Sequence, residues 1–105
     1  MQPMPPAAFY ILFALADGEK HGYAIMQDTL KLSEGRFRMG PATLYTNIQR
    51  LLEAEWIKEV EGDGDTPSDS RRRYYRLRKP GKTALEQELE RMRRVLARAE
   101  ALSLA

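Results

Sequence analysis

The residues of this 105-residue sequence that could do chemistry fall into three small groups. Thr43, Thr46, Asn47 and Arg50 recur at helical spacing, and Tyr45 lies among them. Arg71, Arg72 and Arg73 form an unbroken cationic triplet, and His21 and Tyr23 flank a glycine. Short hydroxyls, one amide and one arginine on a protruding helix suit the base edges and phosphates of a duplex; a solvated helix face is the plainer alternative. Tyr45 is either the edge of a core or a hydroxyl donor to phosphate. The arginine triplet would neutralise phosphates, or else pair with the acids that precede it. Strand alternation puts Arg71 and Arg73 on one face and Arg72 on the other, so the three cannot share one role. His21 and Tyr23 open a helix, where amides point outward and favour anions. Local capping and core packing are the alternatives for this pair, and packing is the preferred reading of Tyr23.

Other chemistries are poorly served. With no cysteine and a single histidine, disulfides, thiolate zinc sites, cysteine nucleophiles and multi-histidine metal centres are excluded. No carboxylate pair or Ser/His/Asp set is signalled, and Gly62-Asp63-Gly64-Asp65 lacks the spacing of a phosphate or calcium loop. Neither an enzyme nor a cofactor is expected. The apolar stretch from Ala7 to Ala16 is far shorter than the roughly 20 residues of a membrane span and lacks a signal peptide's basic flank, so a cytoplasmic location is expected.

Charge is segregated along the chain, although 17 Lys+Arg nearly balance 15 Asp+Glu. Glu53 to Asp69 holds seven acids and one base, whereas Arg71 to Lys82 holds seven bases and no acid. A local basic block of this kind attracts polyanions even on an almost neutral molecule.

The elements that must position these groups follow from periodicity. A helix is expected from about Pro6 to Ala16, ended by Asp17-Gly18; with Phe9, Tyr10, Ile11, Leu12, Phe13 and Leu15 it has no clean polar face. A second is expected from His21 to Leu32, with Tyr23, Met26 and Leu30 at helical spacing as its apolar stripe and Ile25 adjoining them. A turn with one short strand around Phe37 to Met39 follows. Pro41 opens a third helix to about Ala54, in which Leu44, Ile48, Leu51 and Leu52 form the buried stripe. A stripe centred near Ile48 is expected to leave Thr43, Thr46, Asn47 and Arg50 exposed. Trp56 to Glu61 and Arg72 to Arg78 alternate as the strands of a hairpin. The last helix starts near Pro80, and Leu85, Leu89, Met92, Leu96 and Ala99 give it a heptad-like seam. So small a domain cannot bury that seam alone, and a homodimer is expected, with Phe9, Tyr10 and Phe13 of the first helix contributing. The order helix, helix, helix, hairpin, helix is that of a mainly α (α+β) winged helix-turn-helix. Residues 1–78 form its winged part and 79–105 a dimerisation helix, in one structural unit.

The pieces His21-Gly22-Tyr23, Pro41-Ala42-Thr43-Leu44-Tyr45, Arg50-Leu51-Leu52-Glu53 and Arg72-Arg73-Tyr74-Tyr75-Arg76-Leu77, followed by Gly81, together resemble the PadR family of bacterial transcriptional regulators over nearly the whole chain. The resemblance implies a dimeric DNA-binding repressor whose first and last helices form the dimer. In some relatives, aromatic small molecules bind in or near that interface. Phe9, Phe13 and Trp56 are the candidate lining of such a pocket here, with ordinary core and dimer packing as the alternative. Where the family has glycine then leucine, this chain has Glu55-Trp56, so the turn must close without glycine's backbone freedom. Arg78 replaces the family's threonine and removes a hydroxyl cap. Asp63, Asp65 and Asp69 at the wing tip would repel phosphates, which leaves DNA contact to Arg71, Arg72 and Arg73 at the wing's base. The competing reading is a winged-helix adaptor that binds protein instead of DNA.

Overall fold

Helix α1 (Pro6–Ala14) begins on proline, whose missing N–H costs nothing in a first turn, and runs into a short 3-10 turn (Leu15–Asp17). The computed structural model describes residues 4–61 and 73–105. Strand β1 (Lys20–His21) leads directly into α2 (Gly22–Leu32), and α3 spans Pro41–Glu53. Strands β2 (Ile57–Glu61) and β3 (Arg73–Leu77) precede the long α4 (Lys79–Ala101). The antiparallel sheet has the order β1-β3-β2, with Glu59 opposite Tyr75 and His21 opposite Tyr74.

Helix α1 is the hub against which α2, α3 and α4 pack. Its Ile11 and Leu12 are fully buried, and they share one core with Ile25, Leu44, Ile48, Ile57, Tyr75 and Leu85. The first turns of α4 join this core through Gly81 and Leu85, after which the helix leaves the domain; the molecule measures 55 × 27 × 23 Å.

Several sequence expectations need correction. The buried row of α2 is Gly22, Ile25 and Thr29: Ile25 is buried as expected, but the row as a whole lies one position away from Tyr23, Met26 and Leu30. Thr29 is tolerated there because its hydroxyl donates to the Ile25 carbonyl. No strand forms at Phe37 to Met39: Ser33 closes that loop, its Oγ accepting from the Phe37 N–H at 3.0 Å, while Met39 is buried. The third strand is instead Lys20–His21, too short for an alternation pattern to reveal. Leu85, expected in the dimer seam, is used by the domain's own core.

The three helices α2, α3 and α4 end alike. In each, two backbone bonds wrap the last turn: Gly35 to Leu30 and Glu34 to Lys31, Trp56 to Leu51 and Glu55 to Leu52, Leu104 to Ala99 and Ser103 to Glu100. This is the Schellman closure, which needs a left-handed residue at its first position. Glu34 (φ 55°), Glu55 (φ 62°) and Ser103 (φ 60°) supply it without being glycine. The expected closure at Glu55 is thus observed, at a conformational cost. Arg78 precedes α4 with no side-chain cap, also as expected.

Candidate nucleic-acid interface

The buried residues of α3 are Leu44, Asn47, Ile48 and Leu51. Measured from Leu44 at about 100° per residue, their mean direction falls between Leu44 and Leu51, and the opposite, solvent pole carries Ala42, Thr46, Gln49 and Glu53. All four are exposed. Thr46 lies at the centre of this face; Thr43 and Arg50 are exposed on its flank toward α4, and Tyr45 on the other flank. Asn47 corrects the sequence reading, being only 9% exposed. It follows Leu44 by three residues and precedes Leu51 by four, which places it on the buried stripe. Its Nδ2 donates to the Thr43 carbonyl at 2.8 Å, so its amide turns back on its own helix. Asn47 and Gln49 lie equally far from Ile48, on its two sides, so the rotation of α3 against its neighbours decides that Asn47 is buried and Gln49 exposed.

The start of α2 adjoins α3 through Gly22. A Cβ there would lie 2.6 Å from the Tyr45 hydroxyl and 3.1 Å from Leu44, so glycine lets the Tyr45 ring lie over the helix end. The His21-Gly22-Tyr23 and Leu44-Tyr45 motifs are therefore two sides of one contact. His21 caps α2, its Nδ1 accepting from the Ala24 N–H at 3.2 Å, which leaves the proton on Nε2. Its ring also meets the edge of Tyr74 at 5.4 Å. Tyr23 is 60% exposed and Tyr45 51%; Tyr23 is thus not the packing residue its spacing suggested, because the stripe of α2 is rotated away from it.

Beneath this surface Tyr75 is buried, and that burial pushes its phenol above the ordinary value, with Glu59 and Tyr45 adding to the rise and Arg73 opposing it. Arg73 is exposed and pairs across the hairpin with Glu59 at 3.5 Å, the acid partnership foreseen as its alternative role. Arg76 pairs with Glu19 and Arg78 with Glu55, at 3.7 and 3.8 Å. Arg71, Arg72 and the wing-tip aspartates lie outside the described residues. Behind the domain, Lys20 bonds to Asp17, Asp28 and the Ala14 carbonyl, tying β1 to α1 and α2.

The residues named for a small-molecule pocket are not gathered together. Phe9 and Phe13 are neighbours at 5.8 Å on α1. Trp56 lines a separate cleft of about 700 Å³ with Pro5, Ala8, Arg50, Leu51 and Arg91, and Phe13 borders a different hollow between α1 and α2. Phe9 and Tyr10 are half-buried, and Tyr10 stacks on Phe37 at 5.4 Å. Along α4, Leu89, Met92, Val95 and Leu96 are exposed, while Ala99 is half-buried. Val95 was absent from the expected seam. Among the described residues no helix is long and apolar enough to cross a membrane, and no cluster could hold a metal ion.

Three helices, a three-stranded sheet whose hairpin follows the exposed third helix, and a long terminal helix define a winged helix-turn-helix protein. Residues 11–87 match the sequence profile of the Transcriptional regulator PadR-like family, and the chain belongs to that family. It is similar to a PadR family transcription regulator from Clostridium difficile R20291, with a TM-score of 0.77 and 21% identity over 93% of this chain and 98% of that one. Bacillus subtilis PadR, solved in complex with operator DNA, gives a TM-score of 0.69 and 25% identity over 84% of this chain and 48% of that one. A 37.1 kDa protein in transposon TN4556 of Streptomyces fradiae is 35% identical over 92 residues; they are 88% of this chain but only 24% of that protein, so the chain spans about a quarter of its length.

Proposed function

We propose that this transcriptional regulator is a homodimeric repressor that binds a pseudo-palindromic DNA operator in the cytoplasm and has no catalytic activity. The observation that carries the reading is the exposed face of α3, free of acid until Glu53, with Tyr45, Tyr23 and the capped end of α2 beside it. Thr43, Thr46 and Arg50 face base edges and phosphates from this helix. Tyr23 and Tyr45 donate to the backbone at one end, where His21 caps α2 beside them, and Arg71, Arg72 and Arg73 serve it from the wing. The operator complex of the Bacillus subtilis relative supports this role for the fold.

Residues 1–78 are the DNA-binding part and α4 the dimerisation element. The exposed Leu89, Met92, Val95 and Leu96 give α4 an apolar strip that a second copy would cover, with Phe13 of α1 alongside. Two-fold symmetry then spaces the half-sites by about one helical turn, roughly 34 Å. A small aromatic effector would use the Trp56 cleft, whose rim carries Arg50, so that occupancy would bear on the DNA-contacting helix. Selection of bound fragments from random DNA, followed by titration against salt, tests the reading. A symmetric motif is expected, with affinity falling by about the 0.9 power of salt for each phosphate contacted. A protein that enriches no motif and ignores genomic DNA in dilute buffer would refute it.

A further inference from the structure

We propose that Gln49 is the base-reading residue of α3, that it selects an adenine, and that Glu53 is the positioning residue that aims it. This inference rests on the DNA-binding reading above and adds to it which side chain sets the sequence preference.

The solvent pole of α3 is the row Ala42, Thr46, Gln49 and Glu53, the part of the helix that enters deepest into a groove. Of the long polar side chains near it, Asn47 is buried and bonded to its own helix, and Arg50 projects from the flank beside the Trp56 cleft. Gln49 alone combines a central position with both a donor and an acceptor. Its Nε2 donates to Glu53 Oε1 at 3.3 Å. An ionised carboxylate can only accept, so this contact decides which way the amide is turned. The carbonyl oxygen and the second amide hydrogen are left to face outward. One acceptor beside one donor is the complement of adenine in the major groove, whose N6 donates and whose N7 accepts. A helix face without the Glu53 anchor would let the amide rotate and blur that preference. The Ala42 methyl and the Thr46 hydroxyl, on the same row, suit a thymine methyl and either base edge.

The test is random-sequence selection followed by competition binding, with the wild type and four variants, all at exposed positions and checked for retained helical content. The wild type is expected to enrich adenine at one position of each half-site, and replacing that A·T pair to weaken it about 5- to 150-fold. Gln49→Ala should bind both operators within about twofold of each other, and Gln49→Glu, now acceptor-only, should move the preference to cytosine. Glu53→Ala should reduce the adenine discrimination, and Glu53→Gln, whose carbonyl still accepts, should restore it. If the wild type enriches a motif and Gln49→Ala enriches the same one, this inference falls and the DNA-binding reading stands. If the wild type enriches nothing, both fall.

Discussion

Replacing Glu55 by glycine is expected to stabilise the protein, although the native residue has an ion-pair partner. Glu55 closes α3 at φ 62°, where an L side chain crowds the following carbonyl. That conformation costs about 1–2 kcal/mol for a residue with a Cβ. Glycine relieves it but adds freedom to the unfolded chain worth about 0.4–1 kcal/mol, which leaves a net gain of about 0.5–1 kcal/mol. The pair with Arg78 is 3.8 Å long and largely exposed, so its loss subtracts little. For a domain near this size the gain corresponds to a rise of about 2–8 °C in melting temperature. Thermal and urea unfolding of Glu55→Gly and Glu55→Ala separate the causes. Both variants delete the carboxylate, but only glycine deletes the Cβ, and the backbone bonds from Trp56 to Leu51 and Glu55 to Leu52 are open to both. Equal effects of glycine and alanine, or a loss with glycine, would refute the argument from backbone strain. Glu34→Gly, at the end of α2, should behave in the same way, and Ser103→Gly should do less because the end of α4 is exposed, away from the core.

Gly81→Ala should do the opposite, because its Cβ would collide with the Trp56 backbone carbonyl, which already accepts from the Arg78 N–H and cannot swing aside. A loss of about 1–3 kcal/mol in urea unfolding is expected. Leu96→Glu, at a site 52% exposed in the protomer, should leave the fold intact by circular dichroism and shift sedimentation from dimer to monomer. Asn47→Ala should lower stability by about 1 kcal/mol by removing its bond to the Thr43 carbonyl, while the selected DNA motif stays the same. Burial is the largest single influence on Lys20 and lowers its pKa, but its bonds to Asp17 and Asp28 together outweigh it and leave the ammonium above its ordinary 10.5. A cation raised in the fold adds stability below its unfolded value and loses it as pH climbs through the folded one. Stability should therefore decline above about pH 10.5, and Lys20→Met should flatten that limb in pH-dependent unfolding. Tyr75, also raised, acts in the same direction and would remain in that variant.

Local structure was legible in the sequence where one element suffices to decide it. Pro41 opening a helix, Leu44, Ile48 and Leu51 as its buried row, the alternating strands about the acidic segment, and the unpartnered apolar strip of the last helix are all statements about periodicity within a single segment. The awkward closure at Glu55 was legible from the family resemblance, since a left-handed Schellman position that relatives give to glycine carries a glutamate here. Together with the motif order they determined the winged helix-turn-helix class and the family. What tertiary structure alone decided is how each element is rotated in its socket. Tyr23 and Asn47 exchanged their expected roles because burial depends on where the neighbouring helix lies, and near the edge of a stripe a small turn of the axis moves a side chain from core to solvent. The two-residue strand at Lys20 could not announce itself, being too short for a period and defined by pairing with a strand more than fifty residues away. The separation of Trp56 from Phe9 and Phe13 has the same origin: residues far apart in sequence meet or part according to packing, which no local pattern encodes.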